Sequence, residues 1–236
     1  MIRILATIPT ELCFKRAIVN EKQYENGGQR ITIFKNELCG MNTNQFLNVE
    51  MAGVVLAGGL STRMGKDKAA LPWEGSDLLN TVLLRLQSVC SELIVVSNVP
   101  RDVFLPNVRI VSDKYMFCGP LAGMQAGISA SNYSYNFITA CDMPYLSTQA
   151  VAYMGAAAVG YDAAVPFIDG FYNPLHGVYH RNCLPHIECM LESGRFRILD
   201  FYDQVKLRKI SIEELTQFDQ ELKTLTNLNT PDDLKC

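Results

Sequence analysis

The stretch GVVLAGGLSTRMGKDK, residues 53–68, runs from an apolar segment straight into a loop of glycines and cations. Gly53 to Ala57 reads as a short buried strand, because a compact β-branched run bounded by a turn signal suits the interior of a sheet. Gly58 and Gly59 then allow a sharp turn and a close backbone approach to a ligand. Their N–H groups are suited to an anion-binding nest. Arg63, Lys66 and Lys68 add positive charge where phosphate charge would sit. The combination reads as a loop for a nucleoside triphosphate. It is neither of the two commonest phosphate loops. A P-loop requires G-x-x-x-x-G-K-[ST]. Here five residues separate Gly59 from Gly65, and Asp67 follows Lys66. The dinucleotide fingerprint G-x-G-x-x-G is absent as well. The bland alternative is a surface turn carrying solvated lysines.

Outward from this loop the chain alternates strand and helix patterns. Leu78, Leu79, Val82, Leu83, Leu86 and Val89 recur at helical spacing, and LIVVS (93–97) and VRIVS (108–112) are strand-like. PLAGMQAGISA (120–130) opens with proline at a plausible first helical position. NFITAC (136–141), STQAVAYMGAAAV (147–159, capped by Ser147 or Thr148) and DAAVPF (162–167) continue the alternation. Strands alternating with helices of this length predict α/β architecture, a doubly wound, mostly parallel sheet. The later part is mixed. FYNPLHGVYH (171–180) reads as a strand of a small β-ribbon insertion, residues 183–194 as a helix ending at Gly194, and VKLRKISI (205–212) as an edge strand.

Residues 1–50 differ. Short patterned pieces, IRILATI and RITIF, stand between polar stretches and build no core of their own. They read as an N-terminal extension, a hairpin or arm, ahead of one domain over 51–236. The 236 residues, 48% hydrophobic and 19% charged with a net charge of −3, fit a globular chain and argue against general nucleic-acid binding. No apolar run approaches the roughly 20 residues of a membrane helix. No secretion signal is evident, so the eight cysteines, none in a C-x-x-C pair, read as reduced cytoplasmic thiols.

In a doubly wound sheet ligands bind beyond the carboxyl ends of the strands. Asp142, in ACDMPYL after the strand NFITAC, would face the same crevice as the glycine loop. From spacing alone two readings stand: a magnesium ligand, since Mg²⁺ takes one or two carboxylates plus phosphate oxygens, or a turn-capping aspartate. Asp113, after VRIVS and before the Gly119-Pro120 helix start, lies on another loop at the crevice edge and by itself reads as a polar loop residue. His176, His180, Cys183, His186 and Cys189 lie close in sequence, but the segment changes from strand to helix among them and no zinc spacing fits. Arg195 and Arg197 suit a bidentate phosphate clamp or a solvated helix end.

Leu56 to Lys68, L-A-G-G-L-S-T-R-M-G-K-D-K, resembles without a gap the L-A-G-G-x-S-x-R-M-G-x-D-K signature of the molybdenum cofactor guanylyltransferases. G-P-L-A-G at 119–123, the C-D-x-P around Asp142 and the closing N-x-N-T-P at 227–231 are similar to that family too. The resemblance covers about 51–235 and implies a Rossmann-like nucleotidyltransferase fold. It also implies transfer of GMP from GTP to molybdopterin with release of pyrophosphate. On this footing Leu56, Ala57, Gly58 and Gly59 hold the nucleotide, Asn98 and Asp113 contact it, Arg63 and Lys68 hold phosphate charge, and Asp142 binds Mg²⁺. Asn227 and Asn229 help shape the site, whereas Asn173 stands where the family usually has histidine. Substrate partners would be GTP and molybdopterin, with molybdoenzyme maturation proteins as further partners. The alternatives are cytidylyl transfer to molybdopterin, nucleotidyl transfer to a sugar or alditol phosphate, and a non-catalytic nucleotide-binding module.

Overall fold

A computed structural model of the chain describes residues 20–26, 29–35, 49–58, 67–115, 118–228 and 233. The chain divides into two compact units, residues 1–47 and 48–236. In the first, β1 (Asn20–Asn26) and β2 (Gln29–Lys35) form an antiparallel hairpin that takes in RITIF, while IRILATI lies outside the described residues.

The second unit begins with β3 (Met51–Leu56), buried along its whole length as the apolar run requires. A small hairpin of β4 (Pro72–Trp73) and β5 (Ser76–Asp77) leads into α1 (Leu78–Leu86). The Asp77 carboxylate caps this helix by accepting from the Asn80 N–H at 2.7 Å. Next come β6 (Glu92–Val96), β7 (Arg109–Val111), α2 (Pro120–Ala130), β8 (Tyr135–Ala140) and α3 (Thr148–Ala157). The Ser147 hydroxyl caps α3, as its sequence suggests. The chain continues through β9 (Ala163–Ile168), β10 (Phe171–Tyr172), β11 (His176–His180), α4 (Leu184–Glu192), β12 (Leu207–Ile210) and the short α5 (Ile212–Leu215).

The main sheet runs β9, β11, β8, β3, β6, β7, with β12 and the two-residue β10 both paired to β9. The pairs β3–β8, β3–β6, β6–β7 and β9–β12 are parallel, and only the pairs made by β10 and β11 are antiparallel. Chain order therefore reverses between β3 and β8: β6 and β7 lie on one side of β3, and every later strand on the other. Helices cover both faces. Leu79, Val82, Leu83 and Leu86 of α1 share one core with Ala150, Val151 and Met154 of α3. Leu121, Met124 and Ile128 of α2 share the other with Ile187, Met190 and Leu191 of α4. The α/β, doubly wound expectation holds. The segment read as a ribbon is more integral than its sequence suggests. It breaks at 173–175, where the Asn173 N–H turns to Pro166 O (3.0 Å), and β11 then inserts between β8 and β9. Gly177, Val178 and Tyr179 are buried there, which a ribbon standing off the sheet could not achieve. Among the described residues no helix is long and apolar enough to cross a membrane.

Two glycines set how α2 meets the sheet. Gly119, just before the helix, has φ of +68°, a conformation other residues rarely adopt. Gly127 faces Val54 of β3 so closely that a methyl group at this position would overlap Val54 Cγ1. Val54 is fully buried in a central strand and has nowhere to move. A Gly127→Ala change gains up to about 1 kcal/mol of helix propensity, but overpacking costs typically about 1–3 kcal/mol. Urea unfolding should therefore show net destabilisation of Gly127→Ala, against the propensity ranking.

Candidate active site

The register of four parallel strands assembles the site. Leu56 pairs with Ala140 on one side and Val96 on the other, and Val96 pairs with Val111. Each of these residues ends its strand. The residues two positions further on are Asp142, Gly58, Asn98 and Asp113. All four thus sit along one edge of the sheet, on strands spaced by about 4.8 Å. The ladder continues one step past Leu56: Ala57 N–H donates to Val96 O (2.9 Å), and Cys141 N–H to Leu56 O (3.1 Å). The crevice lies at the reversal between β3 and β8, where α/β sheets bind ligands.

Lys68 reaches into it from a short 3₁₀ turn, Lys68–Ala70, capped by the Asp67 carboxylate, which accepts from Ala69 N–H at 3.1 Å. The Lys68 ammonium donates to Asp142 Oδ2 (3.0 Å) and to Leu228 O (3.2 Å). Leu228 N–H in turn donates to Asp142 O at 2.9 Å. Its side chain packs in a small core with Leu71, Trp73 and Leu78. Asp142 is only 9% exposed, and its Oδ1 is buried without a hydrogen-bond partner among the described residues. The preceding Cys141 stays a neutral thiol: burial, reinforced by the Asp142 charge, pushes it up to about 12.

Further along the edge, Asn98 Nδ2 donates to Asp113 Oδ2 (3.1 Å), and Asp113 N–H donates to Asn98 Oδ1 (3.0 Å). Both sequence-selected residues are thus locked together at the ends of β6 and β7. Leu56 and Ala57 are buried, so only their backbone faces the crevice. Gly59 and Arg63 lie outside the described residues, as do Lys66 and Asn229.

A family model described as the MobA-like NTP transferase domain matches residues 53–206. The chain belongs to this family. A probable molybdenum cofactor guanylyltransferase of Carboxydothermus hydrogenoformans is 35% identical over 179 residues, 76% of this chain and 90% of the relative. The molybdenum cofactor guanylyltransferase of Desulfosudis oleivorans is 34% identical over 187 residues, covering 78% and 93% of the two chains. Two solved structures share the fold. Molybdopterin-guanine dinucleotide biosynthesis protein A of Archaeoglobus fulgidus aligns with a TM-score of 0.67 at 24% identity, covering 78% of this chain and 95% of its own. The 2-C-methyl-D-erythritol 4-phosphate cytidylyltransferase of Thermus thermophilus aligns at 0.60 and 16% identity, covering 79% and 96%. This MobA-like chain is therefore a nucleotidyltransferase by family.

Sequence reasoning missed Arg101 and the backbone of Leu228 at this MobA-like site. The Arg101 side chain, 8% exposed, donates to Ala57 O, to Asp67 Oδ2 and, through Nε, to Ser97 Oγ at 2.9 Å. The only signal for Arg101 was a cation shortly after Asn98, which lies two residues beyond β6. The histidines and cysteines of 176–189 have separate environments. His180 Nδ1 accepts from Asn182 N–H (3.2 Å), and Cys183 donates to Asp162 O (3.1 Å). Arg195 Nε donates to Ser193 Oγ (3.2 Å), and Arg197 lies 4.0 Å from Asp200 Oδ1.

His176 is fully buried against the Phe137 ring, with Nε2 3.2 Å from Thr224 Oγ1 and Nδ1 unpartnered among the described residues. Burial lowers it from 6.5 to about 3. The unfolded chain, with His near 6.5, binds the extra proton between those values. The stability is thus complete above pH about 6.5 and is lost progressively as pH falls toward 3. Between pH 7 and 4 the wild type should lose about 3 kcal/mol more unfolding free energy than His176→Phe, at roughly 1.4 kcal/mol per pH unit. Equal slopes in chemical denaturation would remove His176 as the source.

Proposed function

We propose that residues 51–236 form the catalytic domain and transfer GMP from GTP to molybdopterin, releasing pyrophosphate. One observation carries the reading: the end of the glycine strand, the Lys68 ammonium and the Asp142 carboxylate meet in one crevice, with Lys68 and Asp142 3.0 Å apart. The names of the curated relatives supply the base and the acceptor.

In this reading, Gly58 brings bare backbone to the nucleotide, and the mutually fixed Asn98 and Asp113 contact it from the neighbouring strands. Lys68 and Arg63 take phosphate charge. The acceptor phosphate, already ionised at neutral pH, attacks the α-phosphorus in line. A new P–O bond forms, the bond to the β-phosphate oxygen breaks, and pyrophosphate leaves with the electron pair. No general base is required, so positioning and charge neutralisation carry the rate.

The donor chemistry at Asp142 fits magnesium. Its Oδ1 is buried and unpartnered among the described residues, and a carboxylate oxygen is a hard ligand of the kind Mg²⁺ takes. Among the described residues no cluster of three metal-binding side chains occurs. An ion on Asp142 would thus complete its shell with phosphate oxygens and water. When bound, the ion neutralises the transferring and leaving phosphates. The free thiols of Cys90, Cys141, Cys183 and Cys189 suit a reducing cytoplasm.

Incubation with each NTP, Mg²⁺ and molybdopterin should release pyrophosphate fastest with GTP. A preference for CTP would replace guanylyl by cytidylyl transfer, and no release with any NTP would leave a binding module. Lys68→Ala and Asp142→Ala should each slow turnover at least ~100-fold, the scale of losing one charge-stabilising contact. Near-normal turnover in either variant would overturn the assigned roles.

A further inference from the structure

The geometry assigns Arg101 as a positioning residue that fixes both ends of the glycine-rich loop and thereby aims Lys68. Its guanidinium lies against three separate segments. One Nη2 hydrogen goes to the carbonyl of Ala57, the residue between the end of β3 and Gly58. Nη1 pairs with Asp67 Oδ2, at the other end of the loop. Nε holds Ser97 Oγ (2.9 Å), which is itself bonded to Val99 O (2.8 Å) and so fixed at the end of β6. The loop entrance, the loop exit and a core strand are therefore joined through one planar group.

The chemistry suits arginine alone. Guanidinium presents five donors in a rigid fork, so three acceptors in different directions can be served together. A lysine in its place keeps the charge but is a single flexible point. Burial matters as well: at 8% side-chain exposure this cation is little screened, and Asp67 supplies its counter-charge.

The route to the site runs through Asp67. One of its carboxylate oxygens binds Arg101, and the other accepts from Ala69 N–H (3.1 Å), capping the turn that carries Lys68. Lys68 is the next residue in the chain, and its ammonium reaches Asp142 and Leu228 O. Releasing Asp67 frees the turn at its first residue. The catalytic half of this inference rests on the nucleotidyltransfer reading above, whereas the structural half does not.

Two measurements on the full chain test it, in Arg101→Ala and Arg101→Lys. Without substrate, amide exchange over 67–71 should quicken about fivefold or more in both variants while β8 keeps its protection. Unchanged exchange in this segment overturns the assignment, and so does acceleration through β8 in both variants, which would mark a general stabiliser. With GTP, Mg²⁺ and molybdopterin, Arg101→Ala should lower kcat about tenfold, with Arg101→Lys between it and wild type. In a Lys68→Ala background the same change should cost less than about twofold, because the residues act in series. Equal losses in both backgrounds would mean that Arg101 acts on its own and would overturn the proposal. A wild type that turns over no nucleotide refutes the nucleotidyltransfer reading, and the exchange result still decides the arginine. Should Arg101→Ala fail to fold, Arg101→Lys carries both measurements.

Discussion

The site depends on register. Leu56 is bonded on both sides, and Asp142, Gly58, Asn98 and Asp113 reach one line only because the row Ala140, Leu56, Val96, Val111 is in step. Side chains along a strand alternate between faces, so a slip of one residue would send each side chain to the opposite core and take the strand ends out of line. What prevents the slip is the packing on both sides. Val54 wedges under Gly127 on one face, and Val55 enters the α1–α3 core on the other. Hydrophobic packing far from the reacting atoms thereby fixes the chemistry at the strand ends.

Within that frame the charges are arranged to survive an empty crevice. Lys68 and Asp142 have side chains 24% and 12% exposed. An uncompensated charge at such depth is costly, and each supplies the other's partner. Their bond leaves Asp142 Oδ1 without a partner among the described residues. In the proposed reading that oxygen would receive the metal of a triphosphate that competes for Lys68, and the exchange of partners would keep the local charge roughly balanced.

Much of this was legible in the residues. GVVLA, LIVVS and NFITAC announced the parallel core by composition. Because all such strands end on one side of a doubly wound sheet, the sequence alone places Gly58 and Asp142 together. Asp113 follows from its place after VRIVS, whereas Asn98 rested on the family resemblance alone. Three features were not legible, each for a physical reason. Arg101 works through a long side chain folded back over Ser97, and sequence spacing carries no record of such a bend. β11 joins the main sheet by passing antiparallel between β8 and β9, a non-local choice its short alternating pattern does not encode. Leu228 contributes through backbone groups, which are common to every residue type and leave no mark in composition. The stretch from Gly59 to Lys66, including Arg63, lies outside the described residues.

Leu228 has a consequence for how the molecule comes into being. Its carbonyl receives Lys68 across 160 positions of chain, and its amide holds the backbone of Asp142. During translation the glycine loop, β3 and β8 leave the ribosome long before that segment. A growing polypeptide can thus assemble most of its sheet while the crevice still lacks one wall. The finished geometry arises only when the late segment docks, so synthesis past Leu228 itself times the appearance of the complete site, and a cut upstream of Leu228 would remove that wall from an otherwise packed domain.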